Sequence, residues 1–280
     1  MKIGIVGLGL IGGSLGLDLR RQGHWVAGVS RRSTTCDRAL ALGVVDAASP
    51  DLAPMTEAEV VFLCPPLDQI LPTAQALLPH LQPGAILTDV GSAKAHIVAQ
   101  LEPLWPEFVG GHPMAGKAES GLEVAQGGLF AGNPYVLTPT ERSAPGAIAT
   151  LTSLIHSLQA RFYSCSPADH DLAVAWISHL PVMVSASLLG AWSLEPDAAV
   201  QNLAQNLASS GFRDTSRVGG GVPELGVLMA QYNRSALLHS LDHYQQTLQQ
   251  VRTWIETENW AALEAFLRQT QSDRAQFNLT

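Results

Sequence analysis

Met1-Lys-Ile-Gly-Ile-Val-Gly-Leu-Gly-Leu-Ile-Gly-Gly-Ser-Leu-Gly16 opens the chain with three signals in a row. Ile3, Ile5 and Val6 make a short apolar run of the kind that forms a buried parallel strand. Gly7, Leu8, Gly9, Leu10, Ile11 and Gly12 then spell G-x-G-x-x-G. Leu15 and Leu19, four apart, start a helical pattern. The six-residue motif alone is weak, but between a strand and a helix it is specific. Each glycine has its own task. Gly7 makes the tight turn, Gly9 lets backbone approach a pyrophosphate, and Gly12 lets helix and strand pack closely. The helix start offers free N–H groups and the positive end of its dipole. A dinucleotide site is therefore expected at residues 7–12; the ordinary alternative is a Gly-rich turn with no ligand.

Outward from this stretch, His24–Val29 reads as the second strand, after a helix stop at Gly23. An NAD site usually carries Asp or Glu just past this strand, for the ribose 2′-hydroxyl. Here Ser30-Arg31-Arg32-Ser33 has no carboxylate and two cations with hydroxyls beside them. A guanidinium suits a 2′-phosphate through its planar fork of donors. NADP is expected over NAD, with a solvated basic turn as the alternative.

Residues 35–42 read as helix, closed by Gly43, and Val60–Cys64 as a buried strand ended by Pro65-Pro66. Strand C-terminal ends face the cofactor crevice in this architecture, so Cys64 and Pro65 are candidate cofactor neighbours through their backbone. A helix with Ile70, Leu71, Ala74, Leu77 and Leu78 on one face follows, then a strand over Ala85–Val90. Gly91-Ser92-Ala93-Lys94 opens the next helix. Phe108–Gly116 contains Gly110-Gly111-His112-Pro113 and reads as a shaped loop. Tyr135–Thr138 and Arg161–Cys165 read as strands around a helix over Ala147–Leu158. This alternation predicts an α/β domain over residues 1–166, with a Rossmann-like doubly wound sheet.

From Pro167 to residue 280 the pattern is helical, and a second, all-helical dimerisation domain is expected there. Ala168–Trp192 reads as one long helix that Pro181 should bend, because proline lacks the backbone donor. Asp197–Ser209 reads as a further helix, Gly211–Gly221 as a polar Gly-rich segment, and helix resumes at Pro223. Leu237, Leu241, Tyr244, Leu248, Val251 and Ile255 recur at alternating spacings of four and three, an a/d seam. A homodimer interface through these helices is expected, with an intramolecular core face as the alternative.

Composition narrows the class. The chain has 280 residues, 46% hydrophobic but only 14% charged, so much neutral surface is available to cover a partner. A net charge of −8 argues against nucleic acid or an anionic membrane as partner. No uninterrupted apolar stretch reaches membrane-spanning length and the N-terminus does not read as a signal peptide, so no membrane span is expected. Cys36, Cys64 and Cys165 are odd in number and widely spaced, which suits reduced cytoplasmic thiols. No metal-ligand cluster is evident.

Four polar groups are candidates to face a cleft between the two domains: Ser92, His112, His179 and the pair Arg213/Arg217. An imidazole, with an unperturbed pKa of roughly 6.5, suits proton removal near neutrality. His112 is either such a base or a loop histidine bonded to a carbonyl. His179, inside an apolar helix, is by itself the ordinary satisfied core histidine. Arg213 and Arg217, four apart, suit carboxylate recognition, while an ion pair with Asp214 is the alternative. His170-Asp171 is a cap, a cleft-edge pair or part of the chemistry. His239 and His243 read as surface.

The joint pattern resembles the prephenate/arogenate dehydrogenase family of tyrosine biosynthesis. The matching stretches are Gly7–Leu15, Asp89-Val-Gly-Ser-Ala-Lys94, Gly111-His-Pro-Met-Ala-Gly116, Ser178-His-Leu-Pro181 and Gly211-Phe-Arg-Asp-Thr-Ser-Arg217. They occur in order and span both halves. The likeness is strongest to the compact NADP-preferring arogenate dehydrogenases. It implies oxidative decarboxylation of a cyclohexadienyl substrate, L-arogenate to L-tyrosine, with hydride transfer from ring C4 to NADP. It implies His112 as base on the 4-hydroxyl, Ser92 as its orienting partner, and Arg217 on a substrate carboxylate with Arg213 and His179 in support. Some prephenate-using relatives carry a further His three positions after the His179 equivalent. Val182 stands there in this chain, which favours arogenate over prephenate. A β-hydroxyacid dehydrogenase of similar layout generally uses a Lys base on a cleft helix, and Lys117 is the last lysine here. An NADP-sensing scaffold would not need His112, Ser92 and Arg217 together.

Overall fold

The computed structural model describes residues 1–117 and 119–277. Its centre is a sheet of eight strands: β1 (Lys2–Val6), β2 (Trp25–Val29), β3 (Ala47–Ser49), β4 (Val60–Leu63), β5 (Ile86–Asp89), β6 (Phe108–Pro113), β7 (Pro134–Thr138) and β8 (Arg161–Ser164). They lie in the order β3-β2-β1-β4-β5-β6-β7-β8. The first six are parallel and in the doubly wound order; β7 then runs antiparallel to β6, and β8 parallel to β7. Connecting helices are α1 (Leu10–Arg21), α2 (Ser33–Ala41), α3 (Ile70–Leu77), α4 (Ala95–Leu101) and α5 (Pro145–Ser157).

Period-two alternation sorts the strand side chains into two cores. Ile3, Ile5, Val60 and Phe62 point to one face, where they join Leu15 and Leu19 of α1 and Leu151 and Leu154 of α5. Val6, Val61 and Leu63 point to the other, with Ile70, Ala74 and Leu77 of α3 and Ile97 and Leu101 of α4. Strands buried on both faces are why these segments read as nearly continuous apolar runs.

Two sequence expectations change. Residues 108–113 are a strand rather than a loop. The Gly110-Gly111 pair looked like loop punctuation, but its role is close approach. A Cβ on Gly110 would sit 2.6 Å from Thr138 Oγ1, and one on Gly111 would sit 2.8 Å from the Asp89 carbonyl oxygen. The segment 211–221 is mostly helical rather than irregular. The strand β3, only three residues long, carries too little pattern to be read from sequence.

Beyond β8 the described chain is helical: α6 (Pro167–Val174), a π-helical turn (Ala175–His179), α7 (Leu180–Trp192), α8 (Ala198–Leu207), α9 (Ser210–Ser216), a 3₁₀ turn (Arg217–Gly220), α10 (Pro223–Tyr232), α11 (Arg234–Glu256) and α12 (Trp260–Arg274). Pro181 lacks the N–H that residue 177 would otherwise receive, and the helix widens into the π turn directly before it. The backbone forms two compact units, Met1–Asn233 and Arg234–Thr280. Within the second, Trp254 of α11 meets Phe266 of α12 with ring centroids 5.5 Å apart. Of the seam residues, Leu237 is buried, whereas Leu248 and Ile255 are at least half exposed.

Pro167–Trp192 is 26 residues long and contains an 18-residue window of mean hydropathy 1.8, enough to cross a membrane by length and composition alone, a property that counting uninterrupted apolar residues overlooked. One such helix is weak support for a span. Its buried face carries His170, Asp171, His179 and Ser185, which bond within the protein. Its exposed apolar residues, such as Leu172 and Ile177, raise the hydropathy.

The junction of β1 and α1 is a firm constraint, because a Cβ on Gly12 would lie 2.0 Å from the Gly7 carbonyl oxygen. Gly12→Ala is expected to force the helix off the strand and cost about 1–3 kcal/mol, the usual penalty of overpacking. An unchanged urea midpoint would show that the junction has slack.

Candidate active site

Gly7 ends β1 in a left-handed turn, φ +108°. A Cβ there would lie 2.6 Å from the Cys64 carbonyl carbon at the end of β4, so glycine is required twice over. At Gly9 a Cβ would meet nothing within 4 Å. Gly9 is also the N-cap of α1, and no side chain caps that helix start. Open space before an uncapped helix N-terminus is the cradle a pyrophosphate requires. A cleft of about 700 Å³ opens from it, lined by Gly7, Leu8, Gly9, Ser30, Arg31, Arg32, Cys64 and Pro65 among others. Leu10, Ile11 and Gly12 form the first turn of α1 behind that lining. Arg31 and Arg32 are exposed, and among the described residues neither has a carboxylate partner. Burial and the Asp89 carboxylate push the Cys64 thiol far up, so it stays protonated and its sulfur is no nucleophile. The residues thus fit a dinucleotide.

Two strands farther along, β5 ends in a buried ion pair. Lys94 Nζ contacts Asp89 Oδ2 and donates to the Gly111 carbonyl at 2.8 Å. Gly91 N donates to Asp89 Oδ2 at 2.8 Å, and Gly111 N to Asp89 Oδ1 at 3.2 Å. With these partners two buried charges are tolerable. The pair locks β6 against β5 immediately before His112.

His112 is buried in β6. Its Nδ1 lies 2.9 Å from His170 Nε2, and His170 Nδ1 lies 2.8 Å from Asp171 Oδ1. His170 and Asp171 both come from α6. Asp171 also accepts from Lys94 N at 2.7 Å and from Ala95 N at 2.9 Å, so its carboxylate caps α4 across 76 residues of chain. The bonding pattern sets proton positions in the neutral pair. His170 donates Nδ1–H to the carboxylate, leaving Nε2 as an acceptor. His112 must then donate Nδ1–H to it, which leaves His112 Nε2 as a free lone pair. Burial holds the His112 pKa well below the usual imidazole range, with the fields of His170, Lys94 and His179 adding to it. An unprotonated imidazole, buried and directed by a second histidine and a carboxylate, can accept a proton and spread the resulting charge inward.

The other predicted residues fall as follows. His179 is fully buried in the π turn and joins the same network, since the Asn233 amide bonds both its ring and the Asp171 carbonyl. Ser92 is half-buried in the turn between β5 and α4. Arg213 is exposed on α9 and bonds its neighbour Asp214 at 2.9 Å, the ordinary alternative raised by the sequence. Arg217 is exposed at the start of the 3₁₀ turn. That turn docks on α7, where Gly219 N donates to Ser185 Oγ at 2.8 Å and a Cβ on Gly219 would lie 2.4 Å from Ala186 N. His239 and His243 are exposed on α11, and among the described residues no group of three or more His, Cys, Asp or Glu could hold a metal.

Sequence reasoning left His170-Asp171 undecided and gave no role to Asn233, Asp89 or Lys94. The available signal was a His-Asp dipeptide in the first turn of a helix. Nothing local reveals that it meets a histidine 58 residues earlier.

Comparison with known proteins agrees with this architecture. Residues 15–164 match the family model described as prephenate dehydrogenase, nucleotide-binding domain, and residues 166–269 match prephenate dehydrogenase, dimerization domain. The first match begins beyond the glycine loop. The chain is 32% identical to a prephenate dehydrogenase of Bacillus subtilis (strain 168), over 91% of this chain and 70% of that one. The crystal structure of Synechocystis arogenate dehydrogenase superposes with a TM-score of 0.90 at 54% identity, covering 99% of both chains. Prephenate dehydrogenase from A. aeolicus, solved with hydroxyphenyl propionate and NAD+, gives a TM-score of 0.93 at 26% identity, covering 99% of this chain and 98% of that one. A Rossmann-type nucleotide half, a helical half and a buried imidazole relay thus accompany matches along nearly the whole chain, which belongs to the prephenate dehydrogenase family of oxidoreductases that use a pyridine nucleotide.

Proposed function

We propose that this enzyme is an NADP-dependent arogenate dehydrogenase, which converts L-arogenate to L-tyrosine with loss of carbon dioxide. The observation that carries the chemistry is the His112–His170–Asp171 relay, which leaves His112 Nε2 unprotonated at the C-terminal edge of the sheet. Likeness to the Synechocystis arogenate dehydrogenase supports the choice of substrate. The bound nicotinamide nucleotide supplies the hydride acceptor. His112 takes the 4-hydroxyl proton on Nε2 as the ring becomes aromatic. The charge it gains is stabilised through His170 by the Asp171 carboxylate, the logic of a hydrolase triad turned to a different proton. Aromatisation drives the reaction, so the protein's task is orientation and proton acceptance. Ser92 orients the hydroxyl or His112. Arg217 holds a substrate carboxylate, with Arg213 and His179 supporting the site.

Residues 7–12, Cys64 and Pro65 hold the cofactor's diphosphate end, and Ser30, Arg31 and Arg32 hold the 2′-phosphate. The uncommitted arginines at the cleft rim support NADP over NAD. Functionally the chain divides into a cofactor part, 1–166, and a substrate and dimerisation part, 167–280. The active form is a cytoplasmic homodimer. The match to a dimerization domain supports the dimer, as do the exposed apolar residues Ile177, Leu203, Leu207, Val227 and Leu248, each at least half exposed. Prephenate is the second reading, because the B. subtilis and A. aeolicus relatives bear that name.

Following NADPH absorbance with arogenate and prephenate, each with NADP and NAD, tests the assignment: turnover is expected to be fastest with arogenate and NADP. In the same assay Arg31→Ala should weaken NADP far more than NAD, and equal loss for both would remove the 2′-phosphate role. His112→Asn should lose about 10²–10⁴ in kcat while still binding NADP. Because burial lowers the His112 pKa, its basic form persists as pH falls. The acid limb of kcat/KM should therefore lie well below pH 6.5, and a limb at or above that value would show another base. Sedimentation should find a dimer at micromolar concentration; a monomer would contradict the dimer reading.

A further inference from the structure

His179 has a direction of its own, set by a residue outside every sequence motif. Its Nδ1 lies 3.1 Å from Asn233 Nδ2 at the end of α10. The same amide nitrogen donates to the backbone carbonyl of Asp171 at 2.8 Å. That second bond fixes which way the amide faces. Turned over, Asn233 would set its carbonyl oxygen against another carbonyl oxygen. Its NH₂ group therefore sends one hydrogen to Asp171 and the other to His179. His179 Nδ1 must then be a lone pair, and the ring proton sits on Nε2. A charged imidazolium is refused for the same reason, since its Nδ1–H would face the NH₂ group. Burial lowers the His179 pKa to about 4, which agrees, although Asp171 pulls the other way.

The Nε2 end is different. His179 is fully buried, yet Nε2 has no hydrogen-bond partner within the protein. Buried donors are rarely left unmade, and one at a reaction site is a group awaiting a ligand acceptor. We propose that His179 is a fixed, uncharged hydrogen-bond donor to an oxygen of the bound substrate, and that Asn233 is the positioning residue that holds it in this tautomer. The proposal rests on the reading of His112 as the base. Asp171 then commits two rings in opposite senses. Through its carboxylate and His170 it makes His112 Nε2 an acceptor. Through its carbonyl and Asn233 it makes His179 Nε2 a donor. Such a pair selects a substrate that offers a hydroxyl hydrogen to one ring and a hydroxyl or carboxylate oxygen to the other. His179 contributes direction without adding charge beside the base.

Long-range ¹⁵N–¹H correlation spectra of ¹⁵N-histidine-labelled protein read the tautomer directly, with His179→Gln assigning the signal. His179 should show the neutral Nε2–H pattern from about pH 5.5 to 8, well above its lowered pKa. An Nδ1–H pattern or a cation in that range would overturn the proposal. Asn233→Leu should give mixed tautomers at His179, and a pure Nε2–H signal in that variant would remove the positioning role. Should that variant not fold, the wild-type spectrum still decides the tautomer. In steady-state assays with arogenate and NADP, His179→Leu should lower kcat/KM for arogenate about 10–100-fold and leave the KM for NADP unchanged. His179→Gln keeps an N–H at the Nε2 position and should stay within about fivefold of wild type. Equal losses in the two variants would overturn the donor role. If the wild type turns over prephenate in place of arogenate, the substrate assignment fails and the same kinetic comparison is made with prephenate. If His112→Asn turns over normally, the base assignment fails while the spectra still decide the tautomer of His179.

Discussion

The carboxylate of Asp171 is the contact on which the rest of the site depends. It is buried, and a buried carboxylate is costly unless donors surround it. Three donors do: Lys94 N, Ala95 N and His170 Nδ1. Two belong to the start of α4, where the helix dipole is positive, so an anion there is stabilised as well as bonded. One consequence is mechanical, because α6 is pinned to the nucleotide-binding part of the chain. Another is chemical, because the pinning places His170 against His112 and settles which nitrogen of each ring carries a proton. The Lys94 ammonium is engaged elsewhere, by Asp89 and the Gly111 carbonyl, so Asp171 is left to the imidazole.

The sheet supplies the other half of the arrangement. The parallel strands β1, β4, β5 and β6 send their C-terminal ends to one edge, where Gly7, Cys64, Ser92 and His112 follow one another. Ligand sites in open α/β sheets gather at that edge because the loops and helix N-termini there face outward together. The glycines that matter are those whose neighbours leave no room. Gly7 lies against the Cys64 backbone, Gly12 against Gly7, and Gly111 against Asp89. Gly9 is the exception, since the space beside it is open, and open space is what a bound phosphate group needs.

Much of this was legible in the sequence. The strand–glycine–helix opening, the alternation of strands and helices to residue 165 and the helical remainder all lie in local pattern. The same holds for Arg31 and Arg32 past β2, which sit where the turn chemistry is set by adjacent residues. His112, Ser92 and His179 were among the candidates to face a cleft, although His179 by itself read as an ordinary core histidine. The misreadings share a cause. Gly110-Gly111 has the composition of a loop, and only the closeness of Asp89 and Thr138 shows that these glycines belong to a strand. Residues 211–221 have the composition of a polar loop, yet the 3₁₀ turn at Arg217–Gly220 is anchored on α7 through Ser185.

The sequence by itself determined the elements and the residue types, because helix and strand periodicity, turn glycines and proline breaks act over a few neighbours. Tertiary structure alone decided which of those residues act together. His112 meets His170 across 58 positions, Asp171 reaches Lys94 across 77, and Asn233 reaches His179 across 54. No local pattern encodes such pairings, since they arise where the winding of the sheet brings α4, α6 and α10 to one place. The direction of each ring proton follows from those pairings, and with it the division of His112 and His179 into an acceptor and a donor.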